Sequence, residues 1–279
     1  MKKSESRDSL GDRMKENYEN RSQSSLPRNT YSIIRLDGKA FHTFTKGLQR
    51  PFDSQLMSDM DNTAKFLCEE VQGCKMAYVQ SDEISLLLAD FDTITTDAWF
   101  DGKVQKICSV SASLATAKFN QLRMILDSKL ISKLDEPFGT RYTMLSNVPL
   151  NAKLAFFDSR VFTIPHIEEV VNYFVWRQQD ATRNSIQMAA QFVFSHKELQ
   201  GVNCNNLQEK LWKEKQINWN DYPVGFKRGR CVLKESYTVK ATHEGCDPDQ
   251  VLERTHWVVT EPPIFTSDRE YIKSLLPKQ

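Results

Sequence analysis

Ile33, Ile34 and Leu36 lie in a β-branched and aliphatic run from Tyr31 that predicts a buried strand delivering Asp37 directly into Gly38. Before it, Leu10, Met14 and Tyr18 recur at helical spacing behind Asp8 or Ser9, which predicts a short amphipathic helix; Pro27 separates the two, and Met1 to Asp8 is expected to be mobile. Phe41 to Arg50 lacks periodicity and is expected to be a loop. Pro51-Phe-Asp53 then opens a helix capped by Asp53 or Ser54, with Leu56, Met60, Ala64, Leu67 and Val71 on one face and Gly73 as its stop. Met76 to Gln80 and Ile84 to Leu88 predict a hairpin with Ser81-Asp82-Glu83 at its tip. A second helix is expected from Lys103 to about Phe119, then a polar loop carrying Pro137 and Gly139, then a strand from Leu154 to Phe157 ending at Asp158. The order β-α-β-β-α-β predicts an α+β fold of ferredoxin-like type, an antiparallel sheet with two helices on one face.

The second half is more helical. Pro165 opens a periodic stretch to about Phe194 through Val170, Phe174, Ala181, Ile186, Ala189 and Val193, and Asn205 to Lys215 predicts another helix. Cys231 to Lys240 and Trp257 to Thr260 alternate like strands of a small terminal sheet. The expected organisation is an N-terminal arm and short helix over 1–26, a catalytic domain over 27–160, and a helical and small-sheet region over 161–279 packed on it.

Composition narrows the function classes. The 37 Lys+Arg against 36 Asp+Glu, a formal net charge of +1, exclude a uniformly basic protein, so any nucleic-acid site is a local patch. Six scattered cysteines without a Cys-x-x-Cys pair and without a preceding signal segment point to a reducing cytoplasm. His243, Cys246 and His256 offer three zinc-type ligands at a spacing that matches no standard site. No apolar run approaches the ~20 residues of a membrane span.

The chemistry centres on carboxylates. Asp37 before Gly38 is either a turn aspartate or an acidic ligand at a strand's C-terminal edge, and its own segment leaves both open. The strand order places Asp82 on a neighbouring strand, where two carboxylates repel unless cations neutralise them. Paired magnesium ions meet that need and position phosphoryl oxygens. Lys103 and Lys106 near a helix N-terminus are unfavourable for the dipole, so a facing anion would rationalise them, as would simple solvation. Arg177, Arg183 and Asn184 cluster midway along the long helix, either for phosphate and ribose or as an ion-paired face. Trp219 to Arg230 mixes aromatics with Lys227, Arg228 and Arg230, a composition suited to RNA backbone contact plus stacking, and equally to a surface hairpin.

Arg35-Leu-Asp-Gly38, Phe41-His42, Gln80-Ser-Asp-Glu83 and Trp176-Arg-Gln178 in this order resemble the tRNA-His guanylyltransferase family, closest to its guanylyltransferase-like branch. The resemblance continues through Phe157-Asp-Ser-Arg160 and Lys227-Arg-Gly229, so it covers nearly the whole chain. It implies a polymerase-type palm and template-dependent 3′-to-5′ addition, in which the 3′-hydroxyl of an incoming nucleotide attacks an activated tRNA 5′ end, with ATP and GTP as substrates. It further implies that Asp37, the Gly38 carbonyl and Asp82 hold two Mg²⁺ ions, with Glu83 supporting the carboxylate cluster. The family's nucleotide contacts fall on Lys39, Phe41, His42, Arg50, Asp53, Ser81 and Lys106, where Asp53 is alternatively only a helix cap and His42 alternatively only packs beside Phe41. Homotetramers are common in the family.

One stretch departs from the pattern: in Asp180-Ala-Thr-Arg-Asn-Ser185, Thr182 replaces a histidine and Ser185 replaces the second asparagine. This favours templated repair of 5′-truncated tRNAs over addition of the extra guanylate to tRNA-His. A nucleotidyl cyclase and a non-catalytic RNA-binding module are the competing readings. Cyclic nucleotide formed without RNA would mark the first, and Mg²⁺-independent RNA binding without turnover the second.

Overall fold

A computed structural model describes residues 9–134, 153–240 and 251–277 of the chain. Met1 to Asp8, the loop with Pro137 and Gly139, and the His243 and Cys246 positions lie outside them.

The chain begins with α1 (Ser9–Met14), prolonged by a π-helical turn Lys15–Glu19 and a 3₁₀ turn Asn20–Ser22, and then enters β1 (Tyr31–Gly38). Leu10, Met14 and Tyr18, expected on one apolar stripe, are all largely exposed. After β1 come α2 (Phe41–Phe44), within the expected loop, α3 (Ser54–Glu70), β2 (Cys74–Gln80), β3 (Glu83–Leu88), α4 (Val104–Leu134) and β4 (Phe157–Ile164). There follow α5 (Ile167–Val193), α6 (His196–Leu199), α7 (Cys204–Lys215), α8 (Val224–Arg228), β5 (Arg230–Lys240), β6 (Val251–Thr260) and α9 (Glu270–Lys273). No helix among the described residues is long and apolar enough to cross a membrane.

One sheet holds the six strands of the described residues in the order β4-β1-β3-β2-β5-β6, with every neighbouring pair antiparallel. Its first four strands with α3 and α4 have the order and connectivity of the βαββαβ pattern. Successive residues of a strand face opposite sides. Ile34, Leu36, Ile84 and Leu86 pack in the cluster with α3 and α4, whereas Tyr31, Ile33 and Leu87 pack in the cluster with Val170, Val171 and Phe174 of α5. The helices expected on one face are therefore only half the cover. A strand apolar on both sides needs two lids, and α5 is the second.

Three further expectations are corrected. The terminal strands form no separate small sheet, because β5 pairs with β2 through Met76 and Leu233 to Val79 and Arg230. The strand after α4 starts at Phe157, where it was expected to stop; as an edge strand, β4 carries the polar Asp158, Ser159 and Arg160 that masked it. α4 runs to Leu134 rather than Phe119.

Candidate active site

The site forms where β1 ends beside the β2–β3 hairpin tip. The Gly38 amide donates to the Asp82 carbonyl oxygen at 3.1 Å, and Lys39 N–H to the Phe156 carbonyl at 2.8 Å, so the end of β1 is stitched on both sides. The chain then turns sharply through Ala40 at φ 54° and inserts Phe41 into a cluster with Phe44, Phe119 and Phe157, at centroid distances of 5.0, 5.7 and 5.2 Å. A Cβ on Gly38 would lie 2.2 Å from the Phe41 ring, so this close approach demands glycine. At the hairpin tip Ser81 sits in the left-handed region at φ 48°, a conformation costly for a non-glycine residue.

This backbone gathers acids. Asp37 stands opposite Glu83 on β3 and opposite Asp158 on β4, with Asp82 next to Glu83 in the chain. Directly opposite residues of antiparallel strands share a face, and Arg35, two residues before Asp37, shares it too. The Arg35 Nη2 lies 2.9 Å from Glu83 Oε2 and 3.6 Å from Asp37 Oδ2. From α5, the buried Arg177 donates through Nη1 to both Glu83 oxygens at 3.0 and 3.2 Å, and Arg177 also pairs with Asp180 at 3.5 Å. Arg183 closes the chain of charges on Asp180, and Arg160 pairs with Asp158 at 2.9 Å.

Charge is thus balanced unevenly. Burial raises the Glu83 carboxyl and its two arginines oppose the shift. For Asp82, burial pushes the carboxyl up to about 6, and the charges of Asp37 and Glu83 add to the shift against hydrogen bonds from its own backbone and from Ser81. Among the described residues Asp82 makes no ion pair. Both Glu83 oxygens are held by guanidinium groups, and one of these, Arg35, also reaches Asp37.

Two carboxylates and the Gly38 carbonyl are hard oxygen donors, and Asp82 lacks a counter-charge; both facts fit Mg²⁺, which takes one or two carboxylates and completes its shell with water and substrate phosphates. Among the described residues, no group of three or more His, Cys, Asp or Glu is arranged to hold a metal ion.

A cavity of about 520 Å³ opens beside this corner. Gly38, Ser81 and Asp82 line it together with Phe41, His42, Arg50 and Asp53, and α5 contributes Met188, Gln191 and Phe192. A second cavity of about 70 Å³ adjoins it and shares Ser81, Asp53, Leu56 and Met188, with Asn184 and Arg230 in its wall. Most of the expected nucleotide contacts therefore share one space. Within it, Phe41 is buried packing, His42 is exposed with its ring nitrogen 3.1 Å from Thr43 Oγ1, and Arg50 is exposed.

Asp53 is engaged as a cap. Its two oxygens accept from the backbone amides of Leu56 at 2.7 Å and Gln49 at 3.0 Å, so the cap reading is the one the geometry supports. Lys39 is exposed outside the lining residues. Lys106 is elsewhere: it lies over the Phe100 ring at 4.5 Å, next to Ile107, which packs near Ser32 and Val161 at the opposite end of β1. The part of α4 that meets the site is marked by Thr116, whose hydroxyl accepts from Phe157 N–H, about 15 Å further along the helix than Lys106.

The expected RNA contacts divide in the same way. Arg177 and Arg230 are buried ion-pair residues, the latter 2.7 Å from Asp61, and buried Lys227 donates to the Asn220 carbonyl at 2.6 Å. Trp219 to Arg230 is not a hairpin but two short helical turns docked on α5, where the Trp219 ring N–H donates to Ser185 Oγ. Arg228 is half-buried near the Trp219 ring. Arg183 and Asn184 remain exposed, both bonded to Asp180. Sequence reasoning missed Arg35 and Asp158 as site residues, although two-residue alternation with Asp37 pointed to the first. It also missed Phe192, for which the helical pattern offered no signal.

A family model described as tRNAHis guanylyltransferase matches residues 11–165. The chain is similar to a bacterial tRNA(His) guanylyltransferase (Thg1)-like protein solved in complex with ATP, at 43% identity and TM-score 0.77 over 96% of this chain and 98% of that one. A structure of such a protein in complex with GTP matches at 40% identity and TM-score 0.73, over 96% and 99% of the two chains. The tRNA(His) guanylyltransferase of Saccharomyces cerevisiae is 28% identical over 219 residues, 74% of this chain and 83% of the yeast protein. With the carboxylate corner, the strand order and these matches in agreement, the chain belongs to the tRNA(His) guanylyltransferase family.

Proposed function

We propose that the protein is a Mg²⁺-dependent nucleotidyltransferase that adds nucleotides to the 5′ end of tRNA, with ATP and GTP as substrates. The observation that carries this reading is the juxtaposition of Asp37 with an uncompensated Asp82, at the edge of a cavity large enough for a nucleotide. The βαββαβ half of the sheet serves as a polymerase-type palm, and Asp37, Asp82 and the Gly38 carbonyl hold the metal. Bound Mg²⁺ neutralises phosphate charge and aligns phosphoryl oxygens, and phosphoryl transfer asks mainly for that positioning. Arg50 and Ser81 bind the triphosphate beside the carboxylates. Glu83, through Arg35, keeps Asp37 in place. At this site the 3′-hydroxyl of a nucleotide attacks the phosphorus of an activated RNA 5′ end; the phosphorus–oxygen bond to the activating group breaks, releasing pyrophosphate from a triphosphate end or AMP from an adenylylated one, and the hydroxyl proton passes to solvent. A homotetramer would give the exposed Met14 and Tyr18 a contact surface.

Within this chemistry, templated repair of truncated 5′ ends is favoured over addition of one extra guanylate. Thr182 offers no imidazole and donates to the Gln178 carbonyl at 2.9 Å, and the Ser185 hydroxyl is turned inward to the Lys227 carbonyl at 3.2 Å. Both hydroxyl protons are thus committed to backbone carbonyls within the chain. The test compares a tRNA lacking its first nucleotide with a full-length tRNA-His transcript, each with ATP, GTP and Mg²⁺. Faster, template-matched extension of the truncated RNA supports repair. Preferential guanylate addition to the full-length transcript supports the alternative.

A further inference from the structure

Phe192 and Met188 stand one helical turn apart on α5, 50% and 39% exposed, and both line the 520 Å³ cavity. Neither belongs to an apolar cluster among the described residues, whereas Ile186, Ala189 and Ala190 of the same helix are buried against Leu207, Leu211 and Trp219. The exposed pair is therefore a second, separate apolar face of α5.

The cavity it borders has two chemical ends. Gly38, Ser81, Asp82 and Arg50 form a polar end suited to metal and phosphate; Leu48, Leu56, Met188 and Phe192 supply apolar surface. A nucleoside triphosphate divides in the same way, into a polyanion and a flat ring.

We propose that Phe192, supported by Met188, is the stacking platform for the purine ring of the nucleoside triphosphate bound in this cavity. The inference rests on the nucleotidyltransferase reading and adds the base subsite to it. A ring face carries no hydrogen-bond code, so stacking accepts adenine and guanine alike. Continuity with the polar end distinguishes this occupant from a second copy of the chain, which would not need the carboxylate corner.

The test is calorimetric binding of GTP and of inorganic tripolyphosphate, a probe without a base, in Mg²⁺. Phe192→Ala is expected to weaken GTP about tenfold, the typical loss of one base–aromatic stack, with tripolyphosphate affinity changed less than about twofold. Phe192→Trp is expected to keep wild-type GTP affinity, and circular dichroism of both variants to match wild type. Equal weakening of the two probes, or no change in either, overturns the platform. So does a changed oligomeric state in analytical ultracentrifugation with unchanged GTP affinity, which would give the ring to a contact between copies, and so does a loss confined to tRNA binding. If wild type binds GTP and Phe192→Ala does not alter it, only the platform fails. If wild type binds no GTP, the nucleotidyltransferase reading fails with it.

Discussion

Replacing Asp82 with asparagine should stabilise the metal-free protein while removing a proposed metal ligand. In the folded chain the Asp82 carboxyl is raised from 3.8 to about 6, by burial first and by Asp37 and Glu83 as well. That shift corresponds to about 3 kcal/mol between the two protonation states. Because the folded value lies above the unfolded one, this carboxyl favours the folded state while protonated, below about pH 4. The benefit is lost as pH rises through about 6. The side-chain amide of the Asp82→Asn variant is neutral throughout, keeps an acceptor for Ser81, and carries no such penalty. The variant should therefore match wild type near pH 4 and exceed it by about 1–3 kcal/mol near pH 7.5, the lower part of the range allowing for solvent that reaches this partly buried side chain. Urea unfolding of both proteins in EDTA, at several pH values in that interval, measures the difference directly, with other titrating groups cancelling between them. Added Mg²⁺ should raise wild-type stability near pH 7.5 by mass action and leave the variant unchanged. A variant no more stable than wild type near pH 7.5, or a difference that does not vary with pH, refutes the view of Asp82 as an uncompensated buried acid.

Two further outcomes follow from the same charges. Arg177→Met leaves Glu83 buried with one guanidinium instead of two and should cost about 3 kcal/mol in urea unfolding, much of it recovered in the Arg177→Met, Glu83→Gln double variant; additive losses would deny the coupling. Lys106→Ala should change the KM for GTP less than about twofold, because the lysine stands near the opposite end of β1, about three helical turns from the site; a tenfold rise in steady-state KM would place it in the nucleotide site.

What the sequence disclosed of the site depended on how local the signal was. β1 and the β2–β3 hairpin were legible because strands buried on both faces leave a largely apolar run, broken here by Ser32, Arg35 and Ser85, and Asp37 and Asp82 sit at the ends of such runs. The fate of Glu83 was not legible, because its partner Arg177 lies 94 positions away on a helix that covers the other face of the sheet. Arg230 misled in the same manner: cations among aromatics resemble an RNA-binding surface, yet its partner Asp61 is 169 positions distant and buried. Lys106 followed the family pattern in sequence, but the direction of α4 carries it to the wrong end of β1. The edge strand β4 was misplaced by one strand length because its solvent-facing Asp158 and Arg160 interrupt the apolar pattern.

The central claim is that Asp37 and Asp82 together hold the metal on which 5′-end addition depends. Single-turnover extension of a 5′-truncated tRNA with GTP, titrated with Mg²⁺, tests it in wild type, Asp37→Asn and Asp82→Asn. The account predicts Mg²⁺-dependent extension by wild type, none in EDTA, and a loss of at least about a hundredfold in each folded variant that saturating Mg²⁺ does not restore. Extension by either variant at the wild-type rate, or by wild type in EDTA, would contradict it.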